Sequence, residues 1–322
     1  SVAAKEINNR LDEIRAMALS IYAEQSAVRD GVTADEVKGI LLGMASEQET
    51  LLCYFKQFII NFEKRVGINR TAGSLRAYRN AYNHIDMFLK WQYKLSDIPF
   101  SALDRSFIDK YDLYLRTERN LAPGTIINLT VQLKTIVGEA IADGIITANP
   151  FMGYEPTRPK SVQKYLTSEE LKRITTTPLH RQTLYHVRDL FLFSCYTGIP
   201  YGDMCLLTKE NLSLAEDGTW WIKSVRQKTG VEFEIPLLDL PLQILNKYRD
   251  TAPGGKLLPM YCNTMLNLYL KEIARICDIN RPLVFHAGRH TYATEITLSH
   301  GVPLETVSKM LGHSQIETTQ IY

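Results

Sequence analysis

Asn149-Pro150 and Pro156-Thr-Arg-Pro-Lys160 cut this chain into two blocks of helical periodicity. Proline has no N–H to donate and fixes its own φ, so neither a helix nor a central strand runs through such a stretch. The reading is an extended, stiff connector between two independent cores. At 322 residues the chain is long enough for both. The expected organisation is a helical N-terminal segment over 1–45, a helical domain over 46–154, a linker over 155–166 and a second domain over 167–322.

Ile7, Leu11, Ile14, Ala18 and Ile21 recur at spacings of four and three, a narrow apolar seam on one long helix. Asp30-Gly31 breaks it, and Thr33-Ala-Asp-Glu36 has the form of a capping box for a short second helix. This segment has too little apolar surface for a domain. It reads as the end of an N-terminal module plus a connector. The start, Ser1-Val2-Ala3, has no signal-peptide character and no initiator methionine, and is expected to be a cut from something longer.

Four helices are predicted in the first block, near 47–65, from a Ser74 cap through Leu89, over 104–117, and from a Thr125 cap to Gly144. The outer face of the second carries Arg70, Arg76, Arg79, Asn80 and Asn83. A solvated surface accounts for such a cluster. So does phosphate contact from Arg76, Arg79 and Lys134, with Asn80 and Asn128 near bases. Arg158 and Lys160 in the connector suit either a plain linker or one lying over a phosphate backbone.

The second block opens at Thr167-Ser-Glu-Glu170, a helix start with acid in its first turn. An apolar helix over 187–197 follows, ended by Thr197-Gly-Ile-Pro200. Trp220–Arg226 and Val231–Ile235 then flank Lys228-Thr-Gly230 as a β-hairpin. Helices near 240–250 and 264–277 lead into the terminal stretch. The fold class is mostly α with a small antiparallel sheet in the second domain, and all α in the first.

No run of 18 apolar residues exists, so no span of a membrane is expected. The five cysteines are odd in number and lack any CxxC pair; four sit among apolar residues and read as reduced core thiols. No Cys or His pair has metal-ligand spacing. A net charge of +2 neither requires nor excludes a nucleic-acid partner.

The last 37 residues carry the chemistry. His286 and Arg289 lie three apart on one predicted helix and share a face. Arg289 offers a planar fork for two phosphate oxygens, and His286 exchanges a proton near neutral pH. Gly312 supplies a left-handed stop that turns His313 back, and Ser314 caps a last short helix that delivers Tyr322. His290 and His300 read as structural. Cationic donors beside a phenol point to phosphoryl chemistry.

His286-Ala-Gly-Arg289-His290-Thr-Tyr-Ala-Thr294, Leu311-Gly312-His313-Ser314 and Thr318-Thr-Gln-Ile-Tyr322 resemble the C-terminal signature of tyrosine recombinases, the phage-integrase family. The resemblance covers residues 46 to 322, a core-binding domain followed by a catalytic domain. Lys228 falls where the family has a lysine on a β-turn. One motif departs. Where the family has Thr-Gly-Leu-Arg-x-x-Glu, this chain reads Thr197-Gly-Ile-Pro200-Tyr-Gly-Asp203. Proline cannot donate to phosphate, so either activity is compromised or another cation substitutes. Arg226 is the candidate: if the strand stays regular it shares a face with Lys228. An exposed strand arginine is the competing account.

The resemblance implies that Tyr322 attacks a DNA backbone phosphate to give a 3′-phosphotyrosyl bond, without metal or ATP. Arg289, His313 and Arg226 would neutralise the transition state, Lys228 would protonate the leaving 5′-oxygen, and His286 would assist proton transfer or hold the phosphate. The implied partners are double-stranded attachment-site DNA and three further copies of the chain, with a host DNA-bending factor as a further candidate. A bacterial cytoplasmic, nucleoid-associated protein is expected. Within the family the pattern resembles integrases of conjugative and mobilisable transposons. A chromosome-dimer resolvase, or a non-catalytic DNA-binding accessory protein, are the alternatives.

Overall fold

The computed structural model describes residues 2–28, 31–34, 37–38, 50–157 and 165–322. The chain divides into two compact units, Ser1–Ser161 and Val162–Tyr322. The connector residues Arg158 and Lys160, and Asp35 and Glu36 of the expected capping box, lie outside the described residues.

In the first unit, α1 (Val2–Val28) is the long helix its periodicity predicts. Of its seam, Leu11 is 48% and Ile14 41% exposed, while Ala18 and Ile21 are half-buried. Four further helices, α2 (Leu51–Glu63), α3 (Ala72–Gln92), α4 (Arg105–Thr117) and α5 (Pro123–Ala142), enclose one core. Phe55, Ile85, Phe88, Tyr111, Leu115 and Ile126 are completely or almost completely buried there. Phe88 is the hub, its ring 5.2 Å from Tyr111 and 5.3 Å from Phe107 and Tyr114.

The helix starts correct two expectations. Thr71, not Ser74, caps α3, accepting from the Ser74 amide at 3.1 Å. The fifth helix begins at Pro123, whose preset φ and missing N–H suit the first turn, so Thr125 lies inside it. The cap of α2 comes from far along the chain. Asp97 accepts from the Leu52 amide at 2.8 Å, the Cys53 amide at 3.0 Å and the Thr50 hydroxyl at 2.6 Å. A carboxylate there satisfies orphan donors and complements the helix dipole.

The second unit begins with α6 (Ser168–Thr176), capped by Thr167 and Glu170 in a reciprocal box. The central element is α7 (Gln182–Thr197). Leu184, Val187, Leu190, Phe191 and Phe193 are buried around its circumference, which explains its unbroken apolar run. Its one buried acid, Asp189, is held by Lys247 at 2.5 Å and by the Tyr248 hydroxyl at 2.9 Å. Then come the four-residue α8 (Tyr201–Met204) and an antiparallel sheet of β1 (Leu212–Leu214), β2 (Trp220–Val225) and β3 (Glu232–Pro236), in that order. Ile222 faces Leu212 on one side and Ile235 on the other, which sets the register with the apolar positions inward.

Two helices, α9 (Asp239–Tyr248) and α10 (Asn263–Ile276), lead to the terminal stretch. The single helix expected from His286 to Gly301 is three pieces: α11 (Ala287–Thr291), a π-turn over Tyr292–Thr297 and a 3₁₀ turn over Leu298–His300. The Thr297 hydroxyl donates to the Tyr292 and Ala293 carbonyls at 3.1 and 2.7 Å. That bonding occupies carbonyls that a widened turn leaves without their regular partners. Gly301, at φ +79°, ends the segment as expected. α12 (Leu304–Met310) follows. Ser314 caps nothing: the last short turn is 3₁₀, over Ile316–Thr318, and starts from Gln315.

Two cysteines, Cys195 and Cys277, are buried; Cys205 is half-buried and Cys53 and Cys262 are exposed. The expectation of four core thiols fails because Cys53 lies on the outward face of α2 and Cys262 stands at the entrance to α10. Among the described residues, no helix is long and apolar enough to cross a membrane.

Candidate active site

Arg289 is 3% exposed, and three of its five N–H donors meet fixed partners. Nη1 donates to the Gly198 carbonyl at 3.0 Å; Nη2 donates to the Leu311 carbonyl at 2.6 Å and to His313 Nε2 at 2.9 Å. The approach depends on Gly198, the left-handed end of α7 at φ +68°. A Cβ there would overlap the Tyr292 ring and stand 3.0 Å from Leu311 Cδ2. The Thr197-Gly198 turn therefore lets α11 and the Leu311-Gly312 turn close on the same point.

An arginine is always a donor, so His313 Nε2 is the lone-pair nitrogen. Its proton then sits on Nδ1, which donates to the buried Thr319 hydroxyl at 2.8 Å. Burial, then Arg289, Arg226 and Lys228, push the His313 pKa down to about 4. His313 is thus a neutral imidazole at physiological pH, and three cations converge on it. Burial and Arg226 also lower the Arg289 pKa, while Tyr322 and Asp203 oppose that shift.

Tyr322, half-buried, stacks on His313 with ring centres 6.2 Å apart and planes 9° apart. The His290 ring lies 4.9 Å from it. His290 in turn meets His286 edge-on at 5.0 Å. His290, read as structural, is thus in ring contact with the phenol. It stands four residues after His286, on the same side of one helical turn, and directly against the phenol. His300 is remote, bonded to the Glu295 carbonyl at 2.9 Å.

His286 itself is exposed, while Arg289 is buried behind it. A cavity of about 210 Å³ opens beside His286, lined by Pro200, Tyr201, Gly202, Asn263 and Asn267. Pro200 stands at its rim as the entry to α8.

Arg226 is not an exposed strand residue; its side chain is 14% exposed and forms an ion pair with Asp203, itself buried. The premise behind its selection fails, however. The regular strand stops at Val225, and residues 226–230 form a turn closed by the Gly230 amide donating to the Arg226 carbonyl at 2.8 Å. Arg226 faces inward because Asp203 holds it, and Asp203 also accepts from the Gln227 amide at 3.2 Å. Its stem packs at Gly312, where a Cβ would lie 3.3 Å from Arg226 Cβ. Lys228 is exposed on the turn. The neighbouring Thr229 hydroxyl donates to the Gly312 carbonyl at 3.0 Å, which ties the turn to the His313 loop.

The residues named on the first unit are not gathered as these are. Arg76, Arg79, Asn80, Asn128 and Lys134 are all exposed on α3 and α5, and Arg79 is paired with Glu63 at 2.7 Å. Arg70 lies over the Phe62 ring at 5.5 Å. Thr319 and Asp203 are the site residues that residue-by-residue reading leaves unassigned. Asp203 had a signal, its place in the departing motif; a lone threonine three residues before the tyrosine had none. Among the described residues, no group of three or more His, Cys, Asp or Glu side chains could hold a metal ion.

Comparison with known proteins bears on residues 50–156 and 164–322. Residues 164–322 match the phage integrase family, and residues 50–156 match the phage integrase SAM-like domain. The chain is 25% identical over 272 residues to the tyrosine recombinase XerD of Listeria monocytogenes, covering 78% of this chain and 88% of that protein. Among solved structures it resembles the Tn1549 transposon integrase bound to transposon right-end DNA. There the TM-score is 0.66 at 18% identity, covering 85% of this chain and 94% of that one. A lambda integrase tetramer bound to a Holliday junction matches with a TM-score of 0.65 at 17% identity, covering 92% of this chain and 85% of that one.

Proposed function

This chain belongs to the phage integrase family of tyrosine recombinases, enzymes that cut and rejoin DNA, and we propose that Tyr322 is its nucleophile. The observation that carries the reading is the meeting of Arg289, His313 and Tyr322 at one point, with Arg226 and Lys228 adding positive charge there. In the proposed step the Tyr322 phenolate oxygen bonds to a backbone phosphorus and the bond to the 5′-oxygen breaks. The phenol proton passes to the His286 imidazole, and Lys228 protonates the leaving oxygen. Arg289 and His313 hold the non-bridging oxygens, and Arg226 replaces the cation that Pro200 cannot supply. The 3′-phosphotyrosyl bond conserves the energy of the broken one, so rejoining needs no ATP.

Domain roles follow. Residues 46–154 would bind core DNA, with Arg76, Arg79 and Lys134 on phosphates and Asn80 and Asn128 near bases. Residues 167–322 would carry catalysis. Four copies on two duplexes would exchange strands, a reading supported by the tetramer that lambda integrase forms on a Holliday junction. The setting would be the bacterial cytoplasm, on nucleoid DNA.

The finer reading is an integrase of a mobile element. Its support is the replaced motif at Pro200, the additional helix α1 and the likeness to the Tn1549 transposon integrase. A chromosome-dimer resolvase is the second reading, favoured by the XerD relatives. Plasmids bearing the joined ends of an element, against plasmids bearing a chromosomal dimer-resolution site, discriminate the two. Recombination of only the latter overturns the mobile-element reading.

The chemistry is tested on a nicked suicide duplex carrying the core site. Wild-type protein should accumulate a covalent adduct that survives denaturation. A Tyr322→Phe variant that still formed it would sink the assignment.

A further inference from the structure

Thr319 is completely buried and touches both partners of the cleavage reaction. Its hydroxyl receives the His313 Nδ1 proton at 2.8 Å. Its carbonyl accepts from the Tyr322 amide at 3.2 Å, and its own amide donates to the Ile316 carbonyl at 2.8 Å. One residue thus fixes the imidazole through its side chain and the nucleophile through its backbone. His313 has no second anchor of that kind: its other nitrogen faces the Arg289 fork.

We infer that Thr319 is the positioning residue that lets His313 change its hydrogen-bonding role when a phosphate enters, while holding Tyr322 in register with it. This rests on the reading above that His313 contacts the scissile phosphate. Without DNA, Nε2 must accept, because Arg289 donates to it. Once the Arg289 N–H that faces His313 turns to a phosphate oxygen, which accepts only, His313 can contribute there only if Nε2 carries the proton. A hydroxyl suits both states, since it accepts from Nδ1–H in one and donates to a bare Nδ1 in the other. The interchange takes one proton from Nδ1 to water and returns one from water to Nε2, leaving the charge of the site unchanged. A carboxylate at 319 would accept only and hold Nδ1 protonated. A valine would do neither.

The groups facing His313 are Arg289, Arg226 and Lys228, with the Tyr322 ring stacked on it. In the free protein three cations disfavour a second proton on His313. The incoming phosphate opposes them, so a ring protonated at both nitrogens in the complex is the competing outcome, and finding it overturns the interchange.

Thr319→Val and Thr319→Ser separate positioning from packing, because valine preserves the buried shape and serine preserves the hydroxyl. Single-turnover cleavage on the suicide duplex should fall about tenfold in Thr319→Val, the rate equivalent of one lost hydrogen bond, and return to near wild type in Thr319→Ser. DNA affinity should be the same in all three. Cleavage by Thr319→Val within twofold of wild type overturns the inference, as does a serine variant as slow as the valine one. The ¹⁵N shifts of His313 in the wild-type protein give a second measurement that no folding defect can obscure. Nδ1 should carry the proton in the free protein and Nε2 in the complex with uncleaved DNA; an unchanged tautomer refutes the switch. If wild-type protein forms no Tyr322 adduct at all, the reading of the site has failed, whatever the variants do.

Discussion

Arg226 shows how a cation is recruited by its partner rather than by its position along a strand. Asp203, one turn after Pro200, is buried and would be an uncompensated charge without Arg226. Removing one member of a buried pair strands the other, so each residue holds its counterpart in place. The acid that the departing motif keeps is what turns inward Arg226, the cation proposed to stand in for the one that Pro200 cannot supply. Arg226→Ala should cut adduct formation about a hundredfold, the scale of losing one preorganised donor to a developing oxyanion. Arg226→Lys, which keeps the charge but not the fork, should fall between it and wild type. Unchanged cleavage by Arg226→Ala, measured in the same suicide assay, would end its role as the replacement cation.

At the scale of elements, the site is made where three chain segments end. α7 stops at Gly198, α12 stops at Leu311-Gly312, and the β2–β3 turn closes on Arg226. Carbonyls left over at the first two ends become acceptors for Arg289, so helix termination itself supplies the socket. Gly198 is the tightest point of that arrangement. Alanine there would meet both an unfavourable positive φ and the Tyr292 ring. Gly198→Ala should destabilise the second unit by about 2–4 kcal/mol, read as a lower denaturant midpoint. A variant unfolding at the wild-type midpoint would show that α11 can shift without loss.

Across the whole molecule, the charge is nearly balanced at +2, so DNA affinity must come from local surfaces and not from a general field. Arg76 and Lys134 are exposed on neighbouring helices of the first unit. If both neutralise phosphates, alanine at either should lower the slope of log affinity against log salt by about one unit and weaken binding to specific and random duplexes alike. A slope equal to wild type in both variants would make this face an ordinary solvated surface. Arg79 shares a half-exposed ion pair with Glu63, a pair too weak to keep it from phosphate.

Much of this organisation was legible residue by residue. A nearly continuous apolar run found α7, because a helix buried all round has no polar face to give it a period. The turn residues found the hairpin, and the spacing of His286, Arg289, His313 and Tyr322 marked the candidate site before any fold was known. Local pattern misled where a nearer competitor existed. Thr71 outranked Ser74 as a cap, and Pro123 opened a helix ahead of Thr125. Three things only the tertiary structure decided: that Asp97 caps α2, that Asp203 turns Arg226 inward, and that Thr319 and His290 flank the terminal phenol and its imidazole. Each joins residues through a contact that depends on where separate elements stop and meet. Spacing along a chain specifies which side chains can share a helix face, but the partner across space is set by packing, and at this site packing completes the chemistry.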